Sequence, residues 1–191
     1  SSDLKWIVDV GARYDQVSFD LKTEQFREFN YATARYVVNR ATITRKTTFE
    51  RVSPRIGVVY KLTPQVNLYG NISTGFQTPQ TGELSLNPEL VPSKTTNYET
   101  GFKVRSEKGH SIDLSLFYIT VKDDIVQTML PNNESSYANA GETEKKGVEL
   151  SAKMQMLKDL YLGAAYAYSD FTFSEFNEVI SGTNFRRDGN R

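Results

Sequence analysis

Alternation between apolar and polar residues, repeated through seven segments, is the feature that most restricts how this chain can fold. In the first segment Trp6, Val8 and Val10 fall on one face, whereas Lys5 and Asp9 fall on the other. A period of two is the repeat of a β-strand, whose successive side chains point to opposite faces. The segments cover residues 4–15, 51–62, 66–73, 97–105, 112–120, 148–156 and 160–169. The pattern predicts an all-β chain of about seven strands.

The connections between these segments are alternately short and long. The second, fourth and sixth segments end in turns at residues 63–65, 106–109 and 157–159, whereas the other four lead into long polar stretches. Short turns on one side of a membrane and long loops on the other are typical of outer-membrane β-barrels. The first strand is then predicted to run outward. Most of the segments approach the ~9 to 11 residues that a tilted membrane-spanning strand needs.

Composition agrees with a chain that crosses a membrane with strands. No apolar run reaches the roughly 18 residues of a membrane helix, and the mean hydropathy is -0.50. Membrane-spanning strands have a low mean hydropathy, because only every second residue of a strand meets lipid. Aromatic residues make up 12% of the chain, which favours β structure. A soluble antiparallel sheet shows the same alternation, so a soluble carbohydrate-binding or adhesive β domain is an alternative.

The charged and nucleophilic residues exclude several classes of function. Basic and acidic residues number 23 each, so nothing indicates a nucleic-acid partner, which would require a basic face. Cysteine is absent, which removes disulfides and thiolate metal sites. His110 is the only histidine, and alternation sends Ser111 and Asp113 to the opposite face, where they cannot complete a catalytic triad. We expect no enzyme, no catalytic residue, no cofactor and no metal centre, with a loop calcium site at Asp123 and Asp124 as the alternative.

Several short motifs follow one another from Arg51 onward. They read RVSPRIGVVY at residues 51–60, LYGNISTGFQTP at 68–79, EL at 83–84, NPEL at 87–90, YETG at 98–101, YANAG at 137–141 and KGVEL at 146–150. In this order they resemble the later barrel strands of TonB-dependent outer-membrane receptors. The resemblance extends over most of the chain after Arg51, and several matches in the right order are more specific than any one of them.

A barrel of this family contains more strands than the chain supplies. The resemblance implies an antiparallel, up-and-down transmembrane β-barrel, of which residues 1–191 form about seven strands out of roughly 22 around a plugged lumen. The plug domain and the C-terminal strands are expected to lie outside this chain. Seven strands alone would leave two open edges facing lipid, so we expect the chain to be part of a larger barrel.

The resemblance also implies a function and a set of partners. It implies a receptor in the bacterial outer membrane, in contact with outer-membrane lipid, that imports a scarce nutrient. The nutrient is expected to be a ferric siderophore or a similar iron chelate, and the energy is expected to come from TonB through the plug domain. A passive outer-membrane porin is the alternative.

The first long loop interleaves cations with aromatic rings. The residues are Arg27, Tyr31, Arg35, Tyr36, Arg40, Arg45 and Lys46. Such a surface suits an anionic iron chelate, which it would hold through charge-assisted hydrogen bonds and stacking. We take Arg35, Tyr36, Arg40 and Arg45 as the candidate ligand-binding residues. Lipopolysaccharide phosphates are an alternative ligand for this loop.

Charged residues on the polar face of the strands are expected to contact the plug and water. They are Arg13, Arg55, Lys103, Glu149 and Lys153. The apolar face is expected to meet acyl chains. A second charged group, Glu142, Glu144, Lys145 and Lys146, stands just before the sixth segment. It is interpreted as a solvated loop, with ligand steering as the alternative.

Overall fold

Strands make up nearly all of the regular structure. The computed structural model describes residues 5–23, 26–40, 43–130, 134–139, 141–175, 177–180, 183–186 and 189. In chain order its elements are β1 (Trp6–Thr23), β2 (Phe26–Asn30), β3 (Arg35–Arg40), β4 (Ile43–Lys61), β5 (Val66–Gln77), α1 (Thr81–Leu86), β6 (Ser93–Arg105), β7 (Ser111–Lys122), β8 (Ile125–Met129), β9 (Ser135–Asn139), β10 (Glu142–Leu157), β11 (Leu160–Glu175), β12 (Asn177–Ile180) and β13 (Thr183–Arg186).

The seven long strands form one antiparallel sheet in the order β1-β4-β5-β6-β7-β10-β11. Each long strand pairs with the long strand that precedes it, so the sheet is an up-and-down meander. The seven predicted strands and their antiparallel arrangement are confirmed. The remaining six strands pair as three two-stranded ribbons, β2-β3, β8-β9 and β12-β13. The sequence pattern did not predict these ribbons, which lie beyond the outward ends of β1, β7 and β11.

The short connections are tight turns, as predicted. Leu62 N donates to Val66 O at 2.9 Å, and Ser106 N donates to His110 O at 2.9 Å. Gly109 has a φ of 79° in the second of these turns. That left-handed conformation is open to glycine because no Cβ meets the backbone there.

One face of the sheet is apolar and exposed; we call it the outer face. It carries Trp6, Val8, Val10, Tyr14, Val52, Ile56, Leu68, Ile72, Tyr98, Ile112, Leu116, Tyr118, Leu150, Met154, Leu162, Tyr166 and Tyr168. Val10 is 72% exposed although it lies in mid-strand. An exposed apolar surface this continuous is expected of a wall that faces lipid. The opposite face, called the inner face, carries polar residues such as Arg55 and Glu99.

Aromatic rings pair near both ends of the apolar band. Trp6 and Tyr60 have ring centroids 4.5 Å apart near the short turns, and Tyr98 and Tyr118 have centroids 6.3 Å apart toward the long loops. Interfacial girdles of a membrane barrel occupy these two levels. Along a strand, the path from Trp6 to Tyr14 rises about 26 Å, or about 20 Å across a bilayer at a typical tilt, close to the ~25 Å apolar band of such barrels.

The polarity of the two faces is reversed beyond this band. In β1 the outer face is apolar up to Tyr14, but Gln16 and Ser18 continue it as exposed polar residues. Val17 and Phe19 lie on the inner face, where they are half-buried, and Phe19 packs edge-on against Phe49 at 6.0 Å. The reversal indicates where the strand leaves lipid, since beyond it the outer face meets water.

The charged group before the sixth segment belongs to a strand, so its interpretation as a loop was wrong. Glu142 and Lys146 both lie within β10, whose pairing with β7 runs without a shift from Glu142 to Lys153. Alternation therefore sends Lys145 to the inner face and Lys146 to the outer face. The polarity pattern failed here because both faces of a strand can be polar outside lipid.

The sheet is open in this chain. Among the described residues, β1 and β11 each pair with one strand of the seven-stranded sheet. The described part of the chain contains no helix that is both long enough and apolar enough to cross a membrane.

Candidate functional site

The inner face is organised around the carboxylate of Glu99 in the middle of β6. Tyr69 Oη and Ser115 Oγ each donate to Glu99 Oε1 at 2.8 Å. Asn71 Nδ2 donates to Glu99 Oε2 at 3.2 Å, and Lys103 Nζ lies 5.3 Å from the centre of the Tyr69 ring. Hydrogen bonds to a charged acceptor are strong, so the network ties β5, β6 and β7 together on this face.

Glycines on the inner face allow long side chains to lie flat against the sheet. The Tyr69 ring crosses its cross-strand partner Gly101, where an added Cβ would be 2.8 Å from Tyr69 Cε1. The Phe117 ring crosses Gly147 in the same way, with Phe117 Cε1 2.9 Å from such a Cβ. The consequence is a wall whose aromatic rings cover the backbone instead of projecting away from it.

Ion pairs also occupy the inner face. Arg105 binds Asp113 through two hydrogen bonds of 2.7 and 2.9 Å, and Arg55 Nε lies 3.4 Å from Asp9 Oδ1. Arg13 Nε lies 2.7 Å from Asp15 Oδ2. Arg55 and Asp9 are both well exposed, so their pair contributes little stability. The predicted polar inner face is therefore present, whereas contact between these residues and a plug stays a prediction.

Loops cover the inner face at its outward end. Leu84 on α1 and Leu90 after it are each 2% exposed, which makes them the buried apolar core of the described residues. Ser93 and Thr143 on the strands are buried as well. By register these two share the face of Glu99. Arg45 lies on the inner face of β4, 3.1 Å from Glu89 after α1, so this segment lies over the inner side. The best-packed part of the chain is thus the outer rim, not the membrane wall.

Asn139 joins two of these loops through its side chain. Its Oδ1 accepts from Val91 N at 3.0 Å, and its Nδ2 donates to Val91 O at 2.8 Å. The same Nδ2 donates to Asp123 O at 2.6 Å. Nearby, Asn87 Nδ2 donates to Tyr137 O at 2.7 Å. The amide of Asn139 therefore pairs with the backbone as another strand residue would, and holds the α1 segment against the β8-β9 ribbon.

The β2-β3 ribbon ends in an exposed aromatic cluster. Asn30 Oδ1 shapes the tip by accepting from Ala32 N at 2.9 Å and Thr33 N at 3.1 Å. Phe29 packs edge-on against Tyr31 and Tyr36, with both centroid distances 5.2 Å. Tyr31 is 90% exposed and Tyr36 is 71% exposed. The cluster therefore presents two exposed tyrosine rings beyond the wall.

The candidate ligand residues of the first loop do not form one group. Arg35 and Tyr36 stand together at the tip of the ribbon, where both are exposed. Arg45 lies instead on β4 opposite Leu21, and its Nη1 is 3.1 Å from Glu89 Oε1. The Arg40 side chain lies outside the described residues. The sequence alone did not predict that Arg45 is separate from the ribbon tip. The spacing of residues does not show which part of a long loop continues the sheet.

Two acidic residues considered for calcium are engaged with protein groups. Asp123 Oδ2 lies 2.9 Å from Lys94 Nζ, and Asp124 Oδ1 accepts from Ile125 N at 3.0 Å. Within the described ranges no three His, Cys, Asp or Glu residues are grouped to hold a metal ion. His110 Nδ1 accepts from Gln155 N at 3.2 Å, which fits a residue that supports a turn.

Comparison with protein families gives one match over the whole chain. Residues 1–191 match the family model described as TonB dependent receptor-like, beta-barrel. Among curated proteins, the metal-pseudopaline receptor of Pseudomonas aeruginosa is 28% identical over 180 residues, covering 94% of this chain and 24% of the relative. The ferrioxamine B receptor of Salmonella typhimurium is 27% identical over 178 residues, covering 93% and 23%. The chain thus spans about a quarter of the length of these relatives.

Solved structures give the same fold. The copper transporter OprC superposes with a TM-score of 0.72 at 17% identity, covering 91% of this chain and 28% of that one. The hemophore receptor HasR of Serratia marcescens superposes with a TM-score of 0.71 at 17% identity, covering 92% and 33%. At this identity the likeness establishes architecture alone. The sheet is a segment of barrel wall, and the predicted barrel fold is confirmed.

Proposed function

Because the chain belongs to the TonB-dependent receptor-like β-barrel family and lies in the bacterial outer membrane, we propose that its parent protein imports a scarce nutrient with energy from TonB. In this proposal the chain supplies part of the barrel wall and several outer loops. TonB would act through a plug domain seated against the inner face. In this proposal the wall itself does not supply the energy for transport.

One observation carries the proposal. The chain combines an exposed apolar outer face with a polar inner face roofed by packed loops, and its whole length matches the receptor barrel model. Such a wall separates lipid on one side from a polar, filled lumen on the other. The polar network at Glu99 supplies groups that a plug or a bound ligand can contact.

The nutrient is proposed to be a ferric siderophore or a similar iron chelate. In support, two curated relatives are named as receptors for metal-pseudopaline and for ferrioxamine B. Arg35 and Tyr36 at the ribbon tip would make the first contacts with such a ligand, through charge and stacking. Arg40 and Arg45 are proposed to add positive charge nearer the wall, although Arg45 must share its charge with Glu89.

Metal uptake by cells that carry the full-length parent protein tests this function. Uptake of ⁵⁵Fe presented as ferric siderophore is compared in isogenic cells with and without TonB, after fractionation has located the protein. We expect outer-membrane location and uptake that requires TonB. Equal flux without TonB would point to a passive porin, and recovery in a soluble fraction would contradict the barrel altogether.

A further inference from the structure

A groove of about 670 Å³ crosses the outer face within its apolar band. Gly70 on β5 and its cross-strand partner Thr100 on β6 form the floor, because their side chains are the shortest on this part of the face. Leu116 on β7 lines one side, and the Tyr98 and Tyr118 rings stand at the side nearer the long loops. The groove therefore opens toward lipid.

Packing within the sheet does not require glycine at position 70. A Cβ added there would have Glu99 O at 3.8 Å as its nearest atom, whereas one added at Gly101 would be 2.8 Å from the Tyr69 ring. Glycine inside a strand weakens it, and often marks a bulge or the close approach of another group. Pairing runs through Gly70 without a shift, which excludes a bulge. Close approach from the lipid side is the remaining reason.

The floor of the groove offers apolar atoms to an occupant. Thr100 Oγ1 donates to Tyr69 O at 2.9 Å, so the hydroxyl is engaged with the backbone. Ile72 and Leu116, which line the groove, are 44% and 48% exposed. A hydrocarbon chain is the occupant that such a surface suits at membrane depth.

Cations follow the two tyrosines on the same face. Lys146 is the cross-strand partner of Tyr118, and Lys94 is the cross-strand partner of Lys122. Like charges that lie directly opposite each other on a sheet repel. The pair Lys94 and Lys122 therefore favours an anion that both ammonium groups can contact.

Carboxylates near the lysine pair leave part of each ammonium group free. Asp123 Oδ2 is 2.9 Å from Lys94 Nζ, and Glu142 Oε2 is 3.6 Å from Lys122 Nζ. Both ion pairs are partly exposed and therefore weak, and an ammonium group has three donors. Glu144 also faces outward here, so preference for an anion must come from the convergence of two lysines, not from net charge.

The lysine pair lies one acyl-chain length from the groove. Lys94 precedes Thr100 by six residues on β6. That separation is about 20 Å along a strand, or about 14 Å across a bilayer at a tilt of ~45°. Half of the ~30 Å hydrocarbon core is about 15 Å. A lipid of the outer leaflet can therefore place its headgroup at the lysines and one chain in the groove.

We propose that the groove and the lysine pair together bind one molecule of lipopolysaccharide. One acyl chain of its lipid A occupies the groove over Gly70, and one lipid A phosphate lies between Lys94 and Lys122. The Tyr98 and Tyr118 rings contact the lipid at the level between chain and headgroup. This site depends on the position of the chain in the outer membrane and not on the imported nutrient.

Lipid retention by the full-length receptor, measured by native mass spectrometry, tests the site. The receptor is stripped of lipid in detergent and then given lipid A, dephosphorylated lipid A or phosphatidylglycerol at equal concentration. Gly70→Leu fills the groove, and Lys94→Gln with Lys122→Gln removes the cation pair. Ala164→Leu, on the outer face of β11 beyond the groove, and Lys22→Gln, on the outer side of β1, are the matched controls.

We expect the native receptor to retain lipid A more strongly than the other two lipids. Gly70→Leu should weaken retention of lipid A and of its dephosphorylated form about tenfold or more, because both lose the space for a chain. The double lysine variant should weaken lipid A by a similar factor and leave the dephosphorylated form unchanged. Neither control should differ from the native receptor.

Three results would overturn the assignment. They are absence of lipid A from the native receptor, retention of phosphatidylglycerol as strong as that of lipid A, and a loss in Ala164→Leu equal to that in Gly70→Leu. The second result would describe ordinary lipid around a barrel. The heat-modifiable band of each variant shows that it is folded, and the lysine variant tests the site independently of the substitution at Gly70.

Discussion

At the scale of single residues, glycine on the inner face is a packing partner for a ring. The Tyr69 ring reaches Glu99 only because its cross-strand partner Gly101 has no side chain. An alanine at Gly101 would place a methyl group against the Tyr69 ring and against Leu114 O. Glycine is therefore required there by close approach, since ring and backbone already fill the space that a Cβ would take.

Gly101→Ala is expected to destabilise the full-length receptor by about 1 to 3 kcal/mol, the range for overpacking. The measurement is the unfolding temperature of the receptor. It is detected on a denaturing gel as the temperature at which the heat-modifiable band of the folded barrel is lost. Gly163→Ala is the matched control, because the nearest atom to its added Cβ is Ala152 O at 3.8 Å. Equal effects of the two substitutions would contradict the role given to Gly101.

Single residues also determine the positive charge of the β2-β3 ribbon. Reversal at both positions, Arg35→Glu with Arg40→Glu, should weaken binding and uptake of an anionic ferric chelate about tenfold or more, because attraction becomes repulsion. Ferric citrate affinity of the full-length receptor measures it. Lys22→Glu, on the outer side of β1, is the control for a change in net charge. Unchanged affinity in the double variant would remove this ribbon from the ligand site.

At the scale of elements, β1 contains its own membrane boundary. Val10 and Ser18 both face outward on this strand, but the first lies inside the apolar band and the second lies beyond Tyr14. Val10→Lys is expected to cost about 2 to 4 kcal/mol, the penalty for lysine near the bilayer midplane. Ser18→Lys should be nearly neutral. Unfolding free energies in lipid vesicles test the pair, and similar costs at both positions would contradict the boundary.

Asn139 joins the α1 segment to the β8-β9 ribbon, so the rigidity of both should depend on its amide group. Asn139→Asp removes the donor to Val91 O and Asp123 O and sets a carboxylate against two carbonyl oxygens. We expect faster amide hydrogen exchange in residues 78–92 and little change in the strands below. Asn30→Asp is the control, because the ribbon tip uses only the side-chain oxygen of Asn30. Unchanged exchange in Asn139→Asp would show that Leu84 and Leu90 hold the rim without it.

At the scale of the whole molecule, the sheet is incomplete as a membrane protein. The described residues give β1 and β11 one neighbour each in the large sheet, and unpaired backbone groups facing lipid cost several kcal/mol each. The 191-residue chain refolded alone in detergent is therefore expected to show strand signal by circular dichroism but no heat-modifiable band. The full-length receptor is the positive control. A stable, heat-modifiable product from the isolated chain would contradict this expectation.

Alternation of polarity predicted the strands of the wall, and the alternately short and long connections indicated that they belong to a barrel. A strand that separates lipid from water must place apolar residues such as Val8 and Val58 on one face, so its sequence records the two solvents directly. The seven strands followed from that rule, whereas the short turns were predicted from the connecting residues and the antiparallel, up-and-down arrangement was implied by the family resemblance. The same rule could have predicted the reversal of polarity after Tyr14 from Val17 and Phe19. That prediction required the additional assumption that the strand continues beyond the lipid.

The rim and the sites were decided by tertiary structure. Outside lipid, both faces of a strand meet polar surroundings, so alternation no longer distinguishes strand from loop, and Lys145 and Lys146 gave no sign of facing opposite ways. The contacts that matter there join residues far apart in the chain, such as Asn139 with Val91 and Phe117 with Gly147. The sequence by itself determined where the chain meets lipid, because each residue responds to its own solvent. Which loop residues share a site depended on strand register and close packing, which arise only when distant segments meet.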